Sequence, residues 1–145
     1  TDQVRKNGLK IGLPKDVVYQ QPFPGPGHAV RIVGAVTEER LRQQIQADSI
    51  VVTELKKANW YNKVFQCWSI MSGTKSTAIK GDHRFYGEVV AVRIVSSKDR
   101  MTADWVRLPY KILEKISTRI VNEVPNISRV VYDITSKPPA TFEWE

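Results

Sequence analysis

The sequence has a single cysteine, Cys67, in 145 residues, so no internal disulfide can form. Histidine is almost as scarce, and neither His28 nor His83 lies near Cys67 at the short spacing of a structural zinc site. A scaffold stapled by metal or disulfide is not expected, and no metal ligands are assigned. Long apolar runs are also missing: nothing approaches the roughly 20 consecutive apolar residues of a membrane helix. The opening Thr1-Asp2-Gln3-Val4-Arg5 has none of the apolar character of a secretory signal. A cytoplasmic protein without a membrane partner is the expectation. Acidic residues are in deficit, with 15 Asp and Glu against 22 Lys and Arg, a formal net charge of +7. That balance favours an anionic partner such as a nucleotide phosphate, a nucleic acid or an acidic protein. The cations are dispersed among acids rather than gathered into the like-charge block of a nucleic-acid arm, so a solvated basic surface explains them equally well.

What is present reads as one domain, since 41% hydrophobic residues suffice for a core at this length. Residues 2–11 suit a short helix stopped near Gly12, and Pro14-Lys15-Asp16 opens another turn to about Gln20. Pro22-Phe23-Pro24-Gly25-Pro26-Gly27 must be a rigid, irregular loop. Residues 29–36 alternate around Val30 and Ile32 and predict a strand. Thr37 caps a predicted long helix whose first turn holds Glu38 and Glu39 and whose last holds Lys56 and Lys57, the order the helix dipole favours. Its apolar stripe is read as Leu41, Ile45, Val52 and Leu55, with Arg42, Gln43, Gln46 and Asp48 facing water. After Asn59, residues 64–71 and 77–80 predict two strands separated by a turn at Ser72-Gly73-Thr74. Gly81-Asp82 makes a further turn before residues 85–95, too apolar for an exposed edge and therefore central. Pro109 opens a second long helix carrying Ile112, Ile116, Ile120 and Val124, and residues 129–134 form a last strand.

The order predicts an α+β, two-layer sandwich: a mainly antiparallel sheet with two long helices on one face. Because Val89, Val90, Ile94, Val95 and Val131 point to both sides, the second face is expected to be covered in part by another copy or another domain.

Motifs with chemistry are few. Ser72-Gly73-Thr74-Lys75-Ser76 fails as a phosphate-binding P-loop, because the first glycine is missing and strand-forming residues follow. Cys67 lies between Gln66 and Trp68 in an apolar strand and reads as core, not nucleophile. Gly81-Asp82-His83-Arg84 presents a carboxylate beside a guanidinium on a turn, which suits either turn chemistry or a ligand. Residues 137–145, Lys-Pro-Pro-Ala-Thr-Phe-Glu-Trp-Glu, combine stiff prolines, two aromatics that want burial, a cation and an acceptor. Such a tail docks in a defined pose, on its own domain, a partner or a ligand.

These last residues, with Arg129-Val130-Val131-Tyr132-Asp133-Ile134-Thr135-Ser136 before them, closely resemble the C-terminal end of glutamine-hydrolysing GMP synthases. The proline-glycine loop, the Gly81-Asp82-His83-Arg84 turn followed by Tyr86, and Met101-Thr102-Ala103-Asp104-Trp105 resemble further shared segments, so the likeness covers essentially the whole chain. The family joins a glutaminase, an ATP pyrophosphatase that adenylates XMP, and a C-terminal dimerisation domain. The resemblance implies that residues 1–21 close the pyrophosphatase or form a linker and that residues 22–145 are the dimerisation domain. It further implies a piece of a ligase with no catalytic residue of its own, ATP and magnesium being used by the full enzyme and bound elsewhere. The implied partners are a second copy, the other two domains and XMP, with no nucleic acid. Carried over residue by residue, Gln66, Asp82, Lys137 and Glu143 fall at XMP-contacting positions, with Arg84 and Thr141 beside them. Gln21, His28 and Lys80 depart from the family pattern, which leaves any specific role of the proline-glycine loop open. From another class, a basic α+β RNA-binding module is the alternative, although neither a GxxG clamp nor an RNP aromatic pattern occurs.

Overall fold

The longest β-branched run forms the centre of the sheet. In the computed structural model, which describes residues 2–145, two short helices, α1 (Asp2–Lys10) and α2 (Lys15–Val18), lead into a 3-10 segment at Gly27–Arg31 and then α3 (Glu38–Lys57), with a second 3-10 segment at Tyr61–Lys63. There follow β1 (Gln66–Lys80), β2 (His83–Ser96), β3 (Asp104–Trp105), α4 (Tyr110–Glu123) and β4 (Ile127–Tyr132). β2 pairs antiparallel with β1 along one edge; on the other it pairs antiparallel with β3 and parallel with β4. The parallel pair follows from α4, which crosses over the sheet between β3 and β4. The expected α+β sandwich with a mainly antiparallel sheet is therefore what forms.

Both long helices pack on one face, where Ile50, Val51 and Leu55 of α3 and Ile116 and Ile120 of α4 meet Met71, Val90, Val92 and Ile94. Thr37 Oγ1 accepts Arg40 N at 3.2 Å, the cap expected for α3 and worth about 1 kcal/mol. The buried face of α3 differs from the expected stripe. Ile45 is exposed and Leu41 and Val52 are half-buried, whereas Gln43, Gln44, Ala47, Asp48 and Val51 are buried. The polar side of the helix faces inward because it has polar work there. Asp48 Oδ1 accepts Ser69 N at 2.9 Å, Gln44 Nε2 donates to Ser69 O at 3.0 Å, and Gln43 Nε2 donates to Pro125 O at 2.8 Å. The free edge of β1 is met by Asp48 and Gln44, together with Gln21 Oε1, which accepts Cys67 N at 2.9 Å.

Two other expectations are corrected. The strand expected over residues 29–36 is a 3-10 turn, with only Ile32 bridging to Met71. Its β-branched residues lose to the preceding turn, closed by Gly27 N donating to Pro24 O at 3.0 Å, and to the placement of the Arg31 side chain. The turn expected at residues 72–74 is a bulge inside one continuous strand, where the register shifts between Met71 and Lys75. Gly73 takes φ +76° there, its amide donates to Glu88 Oε1 at 2.9 Å, and Ser72 Oγ donates to Val89 O at 2.6 Å. The hairpin turn falls at Gly81-Asp82, so β1 and β2 extend past the core as a two-stranded arm.

Part of the second face is covered from within the chain. Trp68, Ile70, Ala91 and Val95 are covered by Ala103, Val33, Phe65 and Phe142 of the same chain. Val131 and Ile134 stay exposed beyond that cover.

Where β2 leaves the arm and enters the core, Gly87 runs against the loop before β4. A Cβ there would lie 2.5 Å from Asn126 O and 2.8 Å from the Phe85 ring. Gly87→Ala is expected to destabilise the fold by about 2–3 kcal/mol, read as a lower urea midpoint at unchanged slope.

Candidate functional site

One arginine organises the C-terminal tail. Arg93 sits in the all-apolar stretch of β2 with no exposed surface, and an unpaired guanidinium at that depth would cost several kcal/mol. Its charge is met by Asp133 Oδ2 at 2.9 Å. Its remaining N–H groups donate to Thr135 O and Thr141 O at 2.9 Å and Phe142 O at 3.1 Å. Satisfying one buried cation therefore folds residues 133–142 back over the second face. Around it, Lys137 and Ala103 exchange backbone hydrogen bonds at 2.8 and 3.0 Å, and Trp144 Nε1 donates to Asp133 Oδ2 at 2.9 Å.

A second buried arginine fixes the end of this strap. Arg31, 2% exposed, lies 3.2 Å from Asp48 Oδ2 and 3.5 Å from Glu143 Oε1. Its guanidinium carbon lies 4.9 Å from the centre of the Phe23 ring and 5.6 Å from that of Trp68. Burial pushes the Glu143 carboxyl above the ordinary carboxylate range against the pull of Arg31, and burial does the same to Asp48. Glu143 Oε2 and Arg31 Nε are buried without a hydrogen-bond partner among the described residues. The pair so retains an acceptor for a donor group.

Between strap, proline loop and the start of β1 lies a cleft of about 320 Å³. Phe23, Phe65 and Phe142 supply aromatic wall, with the rings of Phe65 and Phe142 5.6 Å apart. Gln66, Arg100, Lys137 and Glu143 supply the polar groups. Gln66 Nε2 is held by Pro22 O at 3.1 Å. Lys137 Nζ sits 4.4 Å from the Phe142 ring centre and donates one hydrogen bond, to Arg100 O at 3.0 Å, so N–H groups remain for a ligand. Flat walls, two cations, an amide and a carboxyl are a set that can hold a flat, hydrogen-bonding anion.

Of the six residues marked by resemblance, Gln66, Lys137 and Glu143 come together here. Thr141 lies in the strap, where its carbonyl serves Arg93 and its hydroxyl donates to Glu143 O at 2.5 Å. Asp82 and Arg84 are elsewhere, at the tip of the arm, roughly 40 Å along β1 from Gln66. The sequence reading passed over Arg31, Arg93 and Arg100. For the first two the signal was available, a lone charge flanked by β-branched residues in an apolar run. Cys67 is buried beneath α3, its thiol pushed up to about 12 by burial, and His28 Nδ1 contacts Gln44 Oε1 rather than the thiol. Among the described residues no three His, Cys, Asp or Glu side chains converge to hold a metal ion. Among the described residues no helix is long and apolar enough to cross a membrane. A larger cleft of about 1080 Å³ lies between α1, α2 and the end of α3, away from all six marked residues.

Fold and cleft define a small α+β domain whose C-terminal strap forms one wall of a ligand-sized site. The chain belongs to the GMP synthase C terminal domain family, whose sequence model matches residues 53–144. It is 59% identical over 144 residues to the glutamine-hydrolysing GMP synthase of Caldanaerobacter subterraneus subsp. tengcongensis. Identities to the corresponding synthases of Brachyspira hyodysenteriae and Carboxydothermus hydrogenoformans are 57% and 56% over the same length. Each match covers 99% of this chain and 28% of the relative, so the chain spans a little over a quarter of the length of these synthases.

Arg93→Met is expected to release the strap and cost about 3–5 kcal/mol, because Asp133 is left buried without its cation. Limited proteolysis should then cut within residues 133–145.

Proposed function

We propose that this domain holds XMP in the cleft beside Lys137 and Glu143, within a longer GMP synthase that makes GMP from XMP, ATP and glutamine. The observation that carries this reading is the convergence of Gln66, Lys137 and Glu143, marked by resemblance and far apart in sequence, on one aromatic-walled cleft. The Lys137 ammonium suits the phosphate. Gln66 offers an amide, and the spare acceptor of Glu143 suits a ribose hydroxyl or a purine N–H. The aromatic rings favour a flat base. The domain's part is positioning: it orients the purine so that its carbonyl can be adenylated and attacked by ammonia, and it contributes neither nucleophile nor base. ATP and magnesium belong, in this reading, to the pyrophosphatase domain, and glutamine to the glutaminase domain. The family relationship favours this account over a basic RNA-binding module.

The domain also pairs two subunits in this reading. The arm carries exposed Ile79 and Tyr86, and Val131 and Ile134 add apolar surface next to the covered part of the second face. Because Asp82 and Arg84 cannot reach the cleft of their own chain, any contact they make with XMP comes from a second copy.

In the full-length enzyme, Lys137→Ala is expected to weaken XMP binding at least about tenfold with glutaminase turnover little changed. Unaltered XMP affinity in a titration would reject the cleft as the substrate site. In sedimentation velocity the purified chain is expected to run as a dimer at tens of micromolar, and a monomer there would count against pairing through this domain alone.

A further inference from the structure

Arg100 takes φ +65°, a left-handed conformation that residues with a side chain rarely adopt. The turn that imposes it is tied on both sides. Ser97 Oγ accepts Arg100 N at 3.0 Å and donates to Thr102 O at 2.6 Å, and Asp99 Oδ1 accepts Met101 N and Thr102 N at 3.0 Å. Lys137 Nζ then fastens the turn to the cleft through Arg100 O. Arg100 is one of the residues that line the cleft, and its guanidinium makes no hydrogen bond or ion pair among the described residues. By contrast Arg42 pairs with Glu38, Arg107 with Asp104 and Arg119 with Glu123, and Arg84, which is exposed, lies at the tip of the arm, away from the cleft.

The charge balance of the cleft points to what is missing. Glu143 is faced by Arg31, and the carboxylate of Asp99 is taken up by its own turn. Among the described residues, Lys137 and Arg100 are left as two positive charges with no carboxylate in ion-pair contact. Two cationic residues at one cleft, one a point charge and the other a planar fork, suit a phosphate dianion. We propose that Arg100 is a specificity-determining residue: its fork takes the phosphate of the bound purine nucleotide alongside Lys137, so that the cleft selects nucleoside monophosphate over nucleoside. This inference rests on the nucleotide reading above and deepens it.

Arg100→Gly is the informative variant, since glycine suits the positive φ and leaves the turn intact, so folding should be preserved or slightly improved. XMP and xanthosine would be titrated into the full-length synthase as parent, Arg100→Gly and Lys137→Ala, with thermal unfolding as the control. The expected result for Arg100→Gly is a loss of about tenfold in XMP affinity, xanthosine affinity unchanged and Tm not lowered. Equal losses for XMP and xanthosine would overturn the assignment to phosphate. Full XMP affinity in Arg100→Gly, with a loss in Lys137→Ala, would overturn the role of Arg100 and leave the cleft standing. If neither variant changed XMP affinity, both readings would fall.

Discussion

The structure depends on a cation placed where water cannot reach it. Arg93 occupies the central strand with no exposed surface, and its neighbours on β2 are valines, alanine and isoleucine that offer no acceptor from their side chains. The compensation has to come from another part of the chain, and it comes from Asp133 and three carbonyls of residues 135, 141 and 142. A tail that would otherwise fray is thereby fixed in register with the sheet. The cleft follows from that register, because the same strap carries Lys137, Phe142 and Glu143 to the start of β1.

Arg31 extends this logic from the tail to the helix layer. It bridges Asp48 on α3 and Glu143 on the strap while Phe23 and Trp68 flank its guanidinium. The proline loop, the helix face and the strap are thus coupled through one buried charge. The polar inward face of α3 makes sense in this setting, since Asp48 and Gln44 serve Arg31, His28 and the free edge of β1 together. Structural polarity and the binding groups of the cleft are neighbours, which is why Glu143 is both a packing residue and a ligand candidate.

Much of the fold was legible in the residues. The Thr37 cap, the four-residue isoleucine repeat of α4 and the run that became β2 each follow a local rule, and the structure obeys all three. The failures are tertiary. Residues 29–36 have strand chemistry, but Arg31 must reach Asp48, and a 3-10 turn delivers it. Gly73 suits a turn or a bulge equally in sequence, and the choice was made by Glu88 and Ser72, which satisfy the bulged backbone. The helical stripe of α3 was misread because counting apolar residues cannot detect polar groups that have buried partners.

The sequence alone therefore determined the long helices and the central strand, the family resemblance and the candidacy of Gln66, Lys137 and Glu143, because periodicity, capping and the closing motif are local properties. Only the tertiary structure decided which of those candidates share a cleft, that Asp82 and Arg84 stand apart at the tip of the arm, and that Arg100 joins Lys137. The reason is that buried charges must be neutralised by whatever the fold brings near. The acids and carbonyls that meet Arg31 and Arg93 lie 17 to 112 residues away along the chain, so no local pattern could have named them.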